Sequence, residues 1–162
     1  MTIIEKNILK ILYNECVNPN DSPFGLWING LFGVVTPPTP YLPRELSFPE
    51  QKGAFFYLLE RLLQEGKILL TPPLLIEDQE PSYWVIADGY SDHKPQRPAT
   101  RVSEGGLGCF QVWDIPILEQ VAYVRDTFPK SVSDPNDPEL NSYWYDGRCP
   151  WIGWIHPQTG VL

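Results

Sequence analysis

The chain has 162 residues, 43% of them hydrophobic and 13% aromatic, which excludes the disordered class and allows one core without metal or disulfide staples. Twelve Lys and Arg against 20 Asp and Glu leave a formal net charge of -8; this disfavours nucleic acid, whose phosphates require a basic face, and favours a basic protein partner. Three cysteines, Cys16, Cys109 and Cys149, form no CxxC pair, as expected of a reducing compartment, the cytoplasm.

The first segment, MTIIEKNILKILYNE, breaks its apolar residues with Glu5, Lys6, Asn7 and Lys10, so it reads as neither a signal peptide nor a membrane span. Ile4, Ile8, Leu9, Ile11 and Leu12 recur at helical spacing and predict an amphipathic helix over 3–17. Residues 24–35 are apolar and punctuated by glycine, and their secondary structure is ambiguous. The 18 prolines cluster at Pro37, Pro38, Pro40 and Pro43, at Pro72 and Pro73, and at Pro135 and Pro138. Lacking an amide hydrogen, they mark long ordered loops there.

The strongest helix signal starts at Ser47, where Ser-Phe-Pro-Glu forms a capping box with Glu50 and admits Pro49 in the first turn. Phe55, Leu58, Leu59, Leu62 and Leu63 line one face, and Gly66 supplies a left-handed stop. Residues 67–70, 83–87 and 110–113 read as short strands. The intervening 71–82 is a loop, and 89–108 is polar and rich in turn formers. A further helix follows Asp114, with Pro116 in its first turn, Ile117, Leu118, Val121, Val124 and Phe128 at helical intervals, and Pro129 as its stop. Residues 133–141 form an acidic loop by composition, and the tail, with three tryptophans between positions 144 and 154, predicts an aromatic hairpin. The expectation is one α+β domain over 1–162, with about three helices and a small antiparallel or mixed sheet.

Reactive groups are sparse. His93 and His156 lie far apart, with no HExxH or paired-cysteine signature, so neither a metal nor a cofactor is expected. A thiol nucleophile, Cys109 or Cys149 with either histidine as base, is the enzymatic alternative. Cys149 follows Arg148, which lowers a thiol pKa, yet a buried thiol beside Trp151 is the favoured state. Gly105, Gly106 and Gly108 read as a flexible turn before Phe110 more simply than as a phosphate cradle. The helix from Ser47 followed by strand, loop and strand has the layout of a winged helix, but Lys52 and Arg61 face Glu50, Glu60 and Glu65, against a nucleic-acid role. Trp144, Trp151 and Trp154 are not spaced for one face of a strand, so core packing is preferred to a stacking platform.

Acidic residues dominate two stretches, Glu77, Asp78, Glu80, Asp88 and Asp92, then Asp126, Asp134, Asp137, Glu139 and Asp146. A solvated surface is one explanation and a docking face for a basic partner the other. The motifs FFYLLERLLQEGKILL, DTFPK and WYDGRCPWIGWIHPQTG resemble those of small bacterial cytoplasmic proteins similar to the immunity proteins of contact-dependent growth inhibition systems. The matching motifs span about 55–70 and 128–160, whereas 36–43 and 91–108 match nothing in that pattern. The resemblance implies binding and neutralisation of a delivered toxin domain, usually a nuclease, and carries over no catalytic residue. Partner-binding residues are then expected at Glu77, Asp78, Glu80, Asp134, Asp137 and Glu139, with no nucleic acid and no membrane as partner. A general protein-interaction adaptor is the remaining alternative.

Overall fold

The computed structural model describes residues 3–17, 28–76, 78–87, 98–106 and 108–155. The fold is α+β, with five helices among the described residues rather than about three: α1 (Lys6–Val17), α2 (Asn29–Val35), α3 (Phe48–Gln64), α4 (Ile117–Thr127) and α5 (Pro138–Tyr143). Strands β1 (Ile68–Leu70), β2 (Ser82–Ile86), β3 (Arg101–Val102), β4 (Cys109–Trp113) and β5 (Ile152–Trp154) make two antiparallel sheets, one of β1 and β5 and one ordered β3-β2-β4.

Helix α3 organises the core. The Ser47 hydroxyl accepts from the Glu50 amide at 3.4 Å, and the Glu50 carboxylate accepts from the Ser47 amide at 3.0 Å, which completes the predicted capping box. Phe55, Leu58, Leu59 and Leu62 are fully buried, on the spacing that brings successive turns to one face. At the far end Gly66 takes φ 67, its amide reaches the Leu63 carbonyl at 3.1 Å, and the Lys67 amide reaches that of Leu62 at 2.9 Å. This Schellman closure turns the chain straight into β1. Around α3 pack Ile8, Leu12 and Cys16 of α1, Leu31, Phe32 and Val35 of α2, and Val121 and Val124 of α4.

Several sequence expectations need correcting. Pro116 is the N-cap of α4, one position outside the helix, and Leu118 is 63% exposed. Gln120 is buried on that helix, its Nε2 donating to the carbonyls of Trp113 and Ile115 at 3.1 and 2.9 Å, while Leu118 points away. The acidic stretch 133–141 is only partly loop, since α5 begins inside it behind an Asp137 cap. Among the described residues the tail forms no hairpin: β5 pairs with β1, Ile68 opposite Trp154 and Leu70 opposite Ile152, and residues 156–160 lie outside the described residues. Because β1 and β2 belong to different sheets, the strand after α3 builds no wing.

The three-stranded sheet has an uncommon connection. Strands β3 and β4 both run antiparallel to β2 on opposite edges, so the chain between them crosses one face of β2. Gly105 lies in that crossing, where a Cβ would stand 2.4 Å from the Trp84 ring. The glycine run joins strand to strand over an indole rather than strand to helix, which is the turn reading and not a phosphate cradle.

Candidate functional site

The register of β2 and β4 sets Trp84 opposite Gln111 and Ile86 opposite Cys109, which places these side chains on one face of the sheet. The other face carries Val85, Phe110 and Val112, a second small core packed with Leu69, Tyr83 and Ile155. Next to the first face the main-chain ladder of β1 and β5 continues by one step, the Thr71 amide donating to Trp151 O at 3.0 Å and the Trp151 amide to Thr71 Oγ1 at 2.9 Å. Between them lies a cleft of about 350 Å³ lined by Leu74, Gln79, Trp84, Cys109, Gln111 and Trp151. The Gln111 amide donates to the Ser82 hydroxyl at 2.9 Å and is held upright.

The lip of this cleft is apolar and exposed. Leu74 and Leu75 are 56% and 63% accessible, and the loop that carries them is tied to the chain after α5 by the Leu75 amide, which donates to the Gly147 carbonyl at 3.1 Å. Gly147 has φ 94, a conformation that suits glycine, and the leucines lie over it. Tyr145, 47% exposed, accepts from the Asn29 side chain at 2.6 Å. Carboxylates flank both chain segments: Asp78 and Glu80 are exposed beside Gln79, and Asp146 pairs with Arg148 at 2.8 Å, which holds the Asp146 carboxyl below the usual carboxylate range.

The carboxylates expected to bind a partner divide into two groups, and Glu77 lies outside the described residues. Asp78 is exposed and Glu80 accepts from the Ser82 amide at 2.9 Å. Around the start of α5, Asp134 accepts from the Asn136 amide at 2.7 Å, Asp137 from the Glu139 amide at 2.9 Å, and Glu139 from the Ser131 hydroxyl at 3.1 Å. These three shape the turn and cap the helix. Asp134 and Glu139 remain exposed, so a structural task and an outward charge coexist.

Two of the three thiols are poor nucleophiles. Burial pushes the Cys16 thiol up to about 12, and burial pushes Cys149 up as well, outweighing Arg148, which pulls the other way. Cys109 is half-buried and lines the cleft. Both histidines paired with these thiols on the sequence lie outside the described residues. No group of three or more metal-ligating side chains and no helix long and apolar enough to cross a membrane occurs among the described residues.

Trp144 packs in the core against Phe32, Phe55 and Tyr143 in tilted or edge-on contacts at 5.5, 5.9 and 5.2 Å between ring centroids, and Trp154 is buried. Only Trp151 of the three tail tryptophans reaches the cleft, which Trp84 also lines. Sequence reasoning missed the Leu74–Leu75 lip and Trp84; the signal was two leucines placed in a Pro-rich polar loop where no helix or strand would bury them. Comparison with protein-family models, with curated proteins and with solved structures finds no match for this chain.

Proposed function

We propose that the chain works by binding a protein, and that the face formed by the 71–81 loop and the Trp84–Trp151 cleft is where it does so. The observation that carries this reading is a pair of exposed leucines at the mouth of an indole-lined cleft, with carboxylates on the adjoining chain. An apolar centre with aromatic walls and a polar rim is how protein interfaces are built. The net charge of -8 selects a basic partner. The resemblance to immunity proteins supplies its kind: a toxin domain of a contact-dependent growth inhibition system, which the chain neutralises by covering the basic cleft that a nuclease needs for phosphates.

The test is co-purification with the product of the neighbouring gene, followed by association kinetics at low and high salt. Leu74→Asp with Leu75→Asp is expected to abolish the complex, and Asp78→Lys with Glu80→Lys to slow association and flatten its salt dependence. A complex indifferent to all four changes defeats the assignment of this face. A second reading, an enzyme using Cys109, rests on that thiol's place in the same cleft. The near-isosteric Cys109→Ser separates the two: loss of a chemical activity with the protein complex retained supports the enzyme, and a complex that needs Leu74 and Leu75 but not the thiol supports binding.

A further inference from the structure

Helices α1 and α3 enclose a groove of about 520 Å³ whose chemistry runs against the rest of the molecule. Three of the chain's 12 Lys and Arg side chains, Lys6, Lys10 and Arg61, line it, and among the described residues no carboxylate is part of that lining. Lys6 and Lys10 stand one turn apart on α1, both exposed, a spacing at which like charges repel. Neither takes part in an ion pair among the described residues. Glu5 and Glu50 both pair with Arg44 at 2.7 Å, whereas Glu65 sits at the edge of the groove, pairing with Arg61 at 3.3 Å and accepting from the Tyr13 hydroxyl.

Arg61 is held in place. Its guanidinium lies over the Tyr13 ring at 3.5 Å and donates to the Tyr57 hydroxyl at 3.1 Å. A planar donor fixed in this way loses little freedom on binding an anion. Leu9 and the two phenol rings provide an apolar and aromatic wall beside the cations. In a chain with 20 carboxylates, two unpaired lysines and an oriented arginine around one recess mark a place for a negative group brought from outside.

We propose that this groove binds a small molecule that joins a phosphate monoester to an aromatic ring, of about the size of a nucleoside monophosphate. The lysine ammoniums and Arg61 hold the phosphate, and Leu9 and the tyrosines take the ring. The inference is independent of the protein-binding face described above, which uses other elements.

The experiment titrates the full chain at low salt with adenosine monophosphate, adenosine and inorganic phosphate, by calorimetry and by amide chemical shifts. Saturable binding of the monophosphate is expected, with adenosine and phosphate alone each at least roughly tenfold weaker. Lys6→Glu with Lys10→Glu is expected to weaken the monophosphate by at least roughly tenfold while circular dichroism stays unchanged. The Lys6→Gln and Lys10→Gln pair serves if charge reversal perturbs α1. Absence of saturable monophosphate binding overturns the proposal. So does adenosine or phosphate binding as tightly as the monophosphate, or a folded double variant that binds like the parent chain.

Discussion

At Gly105 there is no room for even one methyl group, because a Cβ would stand 2.4 Å from the Trp84 indole. Gly105→Ala must push either the crossing chain or the ring aside, so a loss of about 1–3 kcal/mol is expected from the urea midpoint. A second residue-scale effect is set by Arg44, which draws the Glu50 carboxyl from 4.5 down to about 2, with the Ser47 amide adding to the shift. The folded-state value is the lower one, so this stabilisation is full above pH 4.5 and is lost as the pH falls toward 2. Glu5, lowered by Arg44, and Glu65, lowered first by the Tyr13 hydroxyl, act in the same direction. Denaturation midpoints measured across that range are expected to fall for the parent chain and to fall less for Glu50→Gln, which starts lower at neutral pH. Parallel profiles for the two proteins would remove Glu50 from the account.

Among the elements, α3 was the most legible, since its cap, apolar stripe and glycine stop are all local signals. Leu62→Ala is expected to cost about 2–5 kcal/mol, because the side chain is fully buried between other helices, and Ser47→Ala about 1 kcal/mol, both by chemical denaturation. Helix α2 was hidden by Gly30 and Gly33, whose poor propensity is overridden when Leu31, Phe32 and Val35 are buried. Helix α5 did have a signal, Asp137 as cap with Pro138 and Glu139 after it, but the acidic composition around it masked three residues of start code. Strand β5 was misassigned for another reason: its partner lies far back in the chain, and nothing local reports a pairing of that range. Removing the chain from Cys149 onward leaves β1 without a neighbour and uncovers Ile68 and Leu70, so loss of cooperative unfolding is expected by circular dichroism.

For the molecule as a whole, net charge was readable and its arrangement was not. Composition located the acids but did not separate Asp78, which is exposed beside the cleft, from Asp134 and Asp137, which hold backbone amides. The difference appears in a paired measurement: Asp134→Lys with Asp137→Lys is expected to lower the denaturation midpoint, whereas Asp78→Lys is expected to leave it unchanged and to act on association rate alone. Nor did the sequence disclose the cationic α1–α3 groove, because its lysines and Arg61 are brought together only by packing. The pairing of β5 with β1 also has a consequence for biosynthesis. Chains emerge from the ribosome N-terminus first, at about 5–20 residues per second. Strand β1, with the buried Ile68 and Leu70, therefore waits without its pairing strand until Ile152–Trp154 has been made, and for those seconds the nascent chain is a client for whatever holds apolar surfaces apart in the cell.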